Sequence, residues 1–254
     1  MRIRSGVFAA WASAWLAGEA AYDDVVARVT GADEPHRAAG TPLGCAPDAA
    51  VPLGWVAPLL RERSADGLAA VLPVPGDPRG LPGPGPFSTA ALAAGEAVAG
   101  RGIGLVPAVT EHGSELDSRS TCVLWTVFEI GEAAPDPLTV PEAEHDLTAA
   151  TRDAASALAA LDVASWRPEV ASGLARVRRG MTPDLPPGHD GRAVRLLAQA
   201  DRLAAVLDLA AQDSPGGAVT AAEARARDEA LRPLTVALRR ARVAAYTAVP
   251  SRHR

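Results

Sequence analysis

The chain of 254 residues has no lysine, few aromatic residues and only two cysteines. Without lysine, every basic side chain is an arginine; with the high alanine, glycine and proline content, this is typical of a GC-rich coding sequence and does not indicate selection for guanidinium chemistry. Cys45 and Cys122 are too few and too far apart for a disulfide framework or a zinc knuckle. We therefore expect two free thiols in a reducing compartment.

No hydrophobic run approaches the roughly 20 residues that a membrane span requires. The first 21 residues carry Arg2 and Arg4 before an apolar stretch, a pattern that resembles a secretory signal. However, Trp11 and Trp15 are spaced i, i+4, as on one face of an amphipathic helix. Between a cleaved signal and a structural first helix over residues 7–17, the sequence favours the helix. We expect a cytoplasmic protein without a membrane segment.

The charge is unevenly distributed. The whole chain carries −5, but residues 219–254 hold eight arginines and three acidic residues, giving +5 there and −10 elsewhere. The acidic net charge argues against a dedicated nucleic-acid binder. A basic last helix indicates self-docking or a charged partner, and the alternative is an ordinary solvated helix face. We assign the following arginines to that interaction surface: Arg225, Arg232, Arg239, Arg240 and Arg242.

With 48% hydrophobic residues, the chain can bury a sizeable core. We predict an α+β fold: an α+β region at 1–140, with a small antiparallel or mixed sheet and flanking helices, packed on a helical bundle at 141–254. Strands are predicted at 68–74, 104–110 and 121–130. The last, TCVLWTVFEI, is apolar on both alternating faces, so it should be central and covered on both sides. Pro107 limits the second to an edge position or a bulge.

The remaining segments are predicted from periodicity and breakers. Residues 31–52 have many glycines, prolines and aspartates and no clear period, which predicts a loop in which His36 and Cys45 are incidental. A helix is predicted at 89–99. Beyond the proline-rich linker at 132–141, helices are predicted at 142–161, 166–179, 192–212 and 219–249, with Pro233 kinking the last unless a new helix begins there.

The most unusual local feature is the Pro/Gly-rich loop at 73–87. Glycines allow a backbone to approach a ligand closely, and prolines fix the shape of a loop before binding. Asp77 and Arg79 lie at its tip, and a helix begins near Ser88 and Thr89. Unpaired N–H groups at a helix start and a nearby arginine could bind a phosphate or carboxylate. The alternative is a rigid connection in which Arg79 pairs with Asp77.

Other candidate chemistry is sparse. Glu111 and His112 lie just after the second strand, where they could ligate a metal or act as an acid and base, but adjacent strand residues point to opposite faces. A Cys122–His112 pair is conceivable across the hairpin. Because no metal motif, Walker loop, dinucleotide fingerprint or nucleophile elbow is present, we expect no metal and no cofactor.

The sequence therefore predicts a non-catalytic cytoplasmic interaction or scaffold protein. Its C-terminal helices would bind a protein partner or a second copy. The alternative is a binding protein or enzyme for a small anionic ligand that uses Asp77, Arg79, Ser88 and Thr89, with Glu111 and His112 as possible contributors. Whether the protein is an enzyme is left open by the sequence.

Overall fold

The computed structural model describes residues 2–45, 49–64, 67–113, 120–131, 138–160, 182–212 and 221–248. Its internal contacts divide the chain into two compact units. We call the first the N-terminal unit, which contains Met1–Pro137, Asp184–Asp190 and Tyr246–Arg254. We call the second the helical unit, which contains Leu138–Pro183 and Gly191–Ala245.

The predicted α+β fold is confirmed, and the sheet is mixed. The helices of the N-terminal unit are α1 (Arg4–Leu16), α2 (Tyr22–Thr30), α3 (Ala57–Arg63) and α4 (Pro86–Ala94), with 3₁₀ turns at Thr41–Leu43 and Leu53–Val56. Its strands are β1 (Arg37–Ala39), β2 (Val51–Pro52), β3 (Ala69–Val71), β4 (Ala97–Gly100), β5 (Ile103–His112) and β6 (Ser120–Glu129). They are ordered β2-β1-β6-β5-β4-β3, and only the β1–β6 pairing is parallel.

Strand β6 lies inside the sheet between β1 and β5, as its two apolar faces predict. The face formed by Val123, Trp125 and Val127 is buried, and Phe8 of α1 packs against Trp125 with ring centroids 5.1 Å apart. The opposite face is only half-buried, although Phe87 of α4 contacts Phe128 there, with ring centroids 5.9 Å apart. Thus both faces have helical neighbours, but complete coverage is confined to the α1 side.

Three local predictions differ from the structure. Residues 31–52 contain β1 and β2, although we predicted a loop. The helix predicted at 89–99 ends at Ala94, since Gly95 takes a left-handed conformation (φ +72°) that closes helices. Ala97–Gly100 then forms β4, paired with β5. The strand predicted at 68–74 is shorter, at Ala69–Val71.

Helix α1 is the central helix of the N-terminal unit. Its residues from Ser5 to Ala12 are all buried, together with Ala14 and Trp15. Gly6 allows the close approach of Tyr246: a Cβ there would lie 2.4 Å from the tyrosine ring. The predicted structural first helix is therefore present. Among the described helices, none has the length and apolar character that crossing a bilayer requires.

The helical unit contains α5 (Val140–Ala160), α6 (Gly191–Gln212) and α7, which runs from Ala221 to Thr247 with its last two residues in the N-terminal unit. A capping box starts α5, because Thr139 and Glu142 exchange side-chain and backbone hydrogen bonds. Helix α7 continues through Pro233 without a new start. The predicted helix at 166–179 lies outside the described residues.

Candidate functional site

A polar cluster lies at the start of α1, inside an otherwise apolar unit. The first N–H groups of a helix have no intrahelical partner. Glu96, which is 6% exposed and directly precedes β4, accepts the Ser5 N–H and the Ser5 hydroxyl at 2.8 Å each. Burial raises the pKa of Glu96, although the two Ser5 hydrogen bonds oppose this shift. Glu96 therefore caps the first turn of α1, although it lies 91 residues away from Ser5 in the sequence.

Next to Ser5 in the same first turn, Arg4 forms a forked ion pair. Its guanidinium donates to both carboxylate oxygens of Asp33, at 2.7 and 3.1 Å. The two side chains retain only 13% and 11% of their exposure. Burial alone would raise the pKa of Asp33, but the hydrogen bonds from Arg4 and His36 outweigh it and lower the pKa below its ordinary value. Asp33 is thus ionised at neutral pH.

The same carboxylate contacts His36, whose tautomer follows from its partners. The Trp125 indole N–H can only donate, and it lies 3.1 Å from His36 Nδ1. The imidazole proton must therefore be on Nε2, which donates to Asp33 at 3.2 Å. Burial lowers the pKa of His36 and keeps the ring neutral. Since both ring nitrogens are occupied, His36 cannot serve as a general base in this arrangement.

This arrangement links three parts of the N-terminal unit: α1 through Arg4, the segment before β1 through Asp33 and His36, and β6 through Trp125. Our sequence interpretation of His36 as incidental missed it. The Asp33-x-x-His36 spacing was visible, but its partners lie 89 residues away at Trp125 and 29 away at Arg4. These contacts hold α1, β6 and the segment before β1 in place, and they pair the buried charges of Arg4 and Asp33. The network presents no reactive atom to solvent.

The Cys122 thiol has a carboxylate neighbour, whereas the sequence left a pair with His112 conceivable. Its thiol donates to Glu34 at 3.1 Å, which raises the pKa of Cys122 and lowers that of Glu34. In the strand register, Cys122 is opposite Thr110, while His112 is opposite Ser120. The structure thus gives the thiol a carboxylate acceptor, which disfavours the reactive thiolate.

Glu111 and His112 end β5 as exposed neighbours on opposite faces of the strand. They therefore do not converge on one centre. Glu111 contributes to the negative field around Arg4. Among the described residues, no group of three histidine, cysteine, aspartate or glutamate side chains is placed to bind a metal ion.

In the Pro/Gly-rich loop, Arg79 donates to both carboxylate oxygens of Asp77 at 2.6 and 2.5 Å. Helix α4 starts at Pro86, earlier than expected, so Ser88 and Thr89 lie within its first turn. Their hydroxyls donate to the carbonyls of residues 83 and 85. The structure thus places Asp77 and Arg79 in the loop and Ser88 and Thr89 at the start of α4, whereas Glu111 and His112 end β5.

The arginines assigned to an interaction surface are in two situations on α7. Arg240 pairs with Asp146 at 3.4 Å, and Arg242 pairs with Asp201 at 2.8 Å, both inside the helical unit. Arg225 and Arg232, in the first half of α7, are exposed, and Arg239 is half-buried.

Burial in the helical unit is graded along each helix. Near the starts of α5 and α6, the side chains of Glu144 and Arg192 form an ion pair at 2.5 Å. Most buried residues lie near the starts of α5 and α6 and in the second half of α7: Ala143, Leu147, Ala193, Leu196, Leu197, Ala200, Leu234, Ala237, Leu238 and Ala241. Ala154, in the second half of α5, is buried as well. The other halves carry leucines that are only half-buried: Leu158, Leu203, Leu207 and Leu231. We call these four residues the leucine set.

Fold and site together describe an α+β protein with a helical C-terminal unit. The chain belongs to the Rv1486c-like protein family: its N-terminal domain model matches residues 5–145 and its C-terminal domain model matches residues 141–243.

Several mycobacterial relatives are similar along nearly the whole chain. Identity is 34% to the uncharacterized protein Rv1486c of Mycobacterium tuberculosis, 33% to MAV321 of Mycobacterium avium and 30% to ML1804 of Mycobacterium leprae. Each match covers 94% of this chain and 94% of the relative. No solved structure matches the chain.

Proposed function

We propose that this protein is a non-catalytic cytoplasmic interaction protein whose helical unit binds a protein partner or a second copy of the chain. The observation that carries the proposal is the leucine set on α5, α6 and α7. Half-buried leucines at comparable positions of neighbouring helices leave apolar surface in contact with water, and such surface commonly marks a protein-binding site.

The relative directions of the helices support this reading. Arg242 contacts Asp201, and eight residues connect the end of α6 to the start of α7. A chain of that length spans at most about 29 Å. Parallel helices would separate those ends by far more, at 1.5 Å per helical residue, so α6 and α7 must be antiparallel. The first half of α7, with Leu231, therefore lies towards the second half of α6, with Leu203 and Leu207.

The state of the polar residues favours binding over chemistry. Both His36 nitrogens are engaged, and the Cys122 thiol donates to a carboxylate. The anion-binding alternative at the Pro/Gly-rich loop is less favoured, because Asp77 already neutralises Arg79 through two hydrogen bonds. An anion would have to displace that carboxylate. If phosphate raises the melting temperature of the intact protein but not that of Arg79→Ala, the alternative gains support.

The proposal is tested by replacing one member of the leucine set with a charge. In cells that make the protein, an affinity-tagged chain should co-purify with one recurrent protein, or with a differently tagged second copy. Leu207→Arg should abolish that recovery, because a charge opposes burial in an interface. Leu59→Arg is the matched control, since Leu59 is half-buried in α3 of the N-terminal unit.

Unfolding in urea must first show that both variants are folded. Equal recovery by Leu207→Arg and Leu59→Arg would contradict the proposal. So would the absence of any recurrent protein from the unmodified chain.

A further inference from the structure

At its start, strand β5 has a neighbouring strand on both sides. Along the rest of its length it has a neighbour on one side only. Strand β4 pairs with β5 from Ile103 to Leu105, whereas β6 pairs with it along its full length to His112. The residues from Ala108 to His112 are all exposed, and Val109 keeps 43% of its accessible surface. The second half of β5 is therefore a local edge of a sheet in which β5 is otherwise interior.

The direction of each backbone group on this edge follows from the register. Ile130 N–H donates to the Gly102 carbonyl, so Gly102 and Ile130 form a hydrogen-bonded pair of the antiparallel ladder. Such pairs alternate along a strand. The backbone N–H and carbonyl groups of the even-numbered residues of β5 therefore bond to β6. Those of the odd-numbered residues point away from β6. The two-residue turn that pairs Gly100 with Ile103 on the β4 side agrees with this assignment.

Pro107, Val109 and Glu111 are the odd-numbered residues beyond the reach of β4. Pro107 has no N–H, and its position on the outward side means that no bond to β6 is lost. The prediction that Pro107 limits this strand to an edge position or a bulge was wrong for the strand as a whole, because β5 lies between β4 and β6 in the sheet. Only the part of β5 beyond Leu105 has a single neighbouring strand. The N–H and carbonyl groups of Val109 and Glu111 have no backbone partner in the described parts of the chain.

Glu111 is the acidic side chain of this edge. No described cation lies within ion-pair distance of Glu111. The charge of Glu111 raises the pKa of Arg4, but the guanidinium of Arg4 is paired with the carboxylate of Asp33. Glu34 lies on the far side of β6, where it accepts the Cys122 thiol. A strand added beside β5 would place its side chains next to Val109 and Glu111 on one face, two residues apart. Those positions suit an apolar residue and a basic residue.

We propose that the open β5 edge, defined as the outward backbone of Val109 and Glu111, binds an extended segment of a partner protein. The segment carries an apolar side chain beside Val109 and an arginine or lysine beside Glu111. Addition of a strand to a sheet edge is an established mode of peptide recognition, in which the main chain gives affinity and alternate side chains give specificity. This surface is separate from the leucine set of the proposed function.

A second copy of the chain fits the edge less well. If Val109 faced Val109 of the other copy in an antiparallel pair, Glu111 would face Pro107, which has no N–H to return. If Val109 faced Glu111, the carboxylate would lie beside an apolar side chain. Neither arrangement gives Glu111 a cation, so a partner with a basic segment is favoured.

The test presents the full chain to a phage-displayed library of short linear peptides. Selected peptides should alternate apolar and basic residues. Amide hydrogen exchange of the unbound protein should show fast exchange at Val109 and Glu111 and slower exchange at Thr110, whose N–H faces β6. Addition of a selected peptide should slow exchange at Val109 and Glu111.

Two substitutions give the test its specificity. Val109→Pro removes an outward N–H without removing a β5–β6 hydrogen bond, and it should weaken peptide binding about tenfold. Val109→Thr keeps both the N–H and the β-branched shape, so it is the matched control and should bind normally. Glu111→Lys should shift the selected peptides from basic to acidic residues.

The proposal is overturned if no peptide is enriched, if enriched peptides protect amides elsewhere, or if Val109→Pro and Val109→Thr bind equally. Protection of the Val109 and Glu111 amides that grows with protein concentration alone would overturn it too, by assigning the edge to a second copy. None of these results depends on Leu207, so failure here and failure of the proposed function are distinguishable.

Discussion

At the scale of single residues, the charge network beneath α1 determines much of the expected stability. Removing two ions from water is costly, and their attraction repays this only with good geometry and further hydrogen bonds. The Arg4–Asp33 pair has both: two hydrogen bonds between its members and a third from His36. The energetic consequence is asymmetric, because losing one partner leaves the other charge buried and uncompensated.

Asp33→Asn should therefore lower the free energy of unfolding by about 3 kcal/mol, the order expected when one member of a buried pair is removed. Urea unfolding at neutral pH measures this change. Asp184→Asn is the matched control: Asp184 pairs with Arg2 at 3.5 Å, with both side chains about a third exposed. Its removal should change the free energy by less than about 1 kcal/mol. Equal losses from the two substitutions would contradict this account of the network.

His36 should give the protein a specific pH dependence. Burial lowers its pKa in the folded state below the ordinary 6.5, so the unfolded chain binds the proton first as pH falls. The contribution is fully present above pH 6.5 and is lost as pH falls through the folded pKa, with a slope of at most about 1.4 kcal/mol per pH unit.

His36→Gln removes this titration but keeps the hydrogen bonds, because a glutamine oxygen can accept from Trp125 and its amide can donate to Asp33. Between about pH 7 and about pH 5, the window of histidine titration, the variant should lose less unfolding free energy than the unmodified protein. Glu96 and the other carboxyl groups are common to both proteins and cancel in the comparison. Parallel curves would show that His36 does not contribute.

At the scale of elements, close approach between α4 and β5 explains one glycine. A Cβ on Gly104 would lie 2.4 Å from the ring of Phe87, which is buried in the cluster formed with Val71, Ala91 and Val106. Gly104→Ala should therefore lower the free energy of unfolding by about 1–3 kcal/mol through overpacking, as measured by urea unfolding. Gly54→Ala is the control, because a Cβ added there would meet no atom within 4 Å, and it should change the free energy by less than about 0.5 kcal/mol. Equal losses from the two variants would contradict the packing explanation.

How far the elements follow from sequence depends on their length and neighbours. Strand β6 could be predicted because it has ten residues, and the side chains on each of its two alternating faces are largely apolar. Strand β4 could not, because Ala97, Val98 and Ala99 directly follow a helix and are compatible with one. Two signals pointed to the strand: Gly95 as a helix terminator and Gly102 (φ +72°) as the turn residue before β5. Strand β1 has three residues, too few for a detectable period.

The candidate site is even less accessible to sequence reasoning. Glu96 and Ser5 are 91 residues apart, and His36 and Trp125 are 89 apart, so only the tertiary fold shows that they are paired. Asp77 and Arg79 are two residues apart, and the sequence already offers their contact as an alternative. Local chemistry was thus predictable where the partners share a loop, and not where the sheet and α1 bring them together.

At the scale of the whole molecule, the boundary between the two compact units of the chain lies close to the boundary between the two family domain models. The contacts of the chain separate a first unit, ending its main segment at Pro137, from a helical unit that begins at Leu138. The two family domain models meet at residues 141–145. The helical unit is accordingly the part of the chain to which we assign a separate binding role.

The central claim is that the leucine set faces a protein. Site-specific photo-cross-linking in cells that make the protein tests it most directly, with the photoreactive residue placed at Leu203 or Arg225 and, as controls, at the exposed positions Glu62 and Glu142. The account predicts one recurrent protein adduct, or a dimer of the chain, from Leu203 and Arg225 and none from the controls. Adducts of equal yield at all four positions, or no adduct at Leu203 and Arg225, would contradict it.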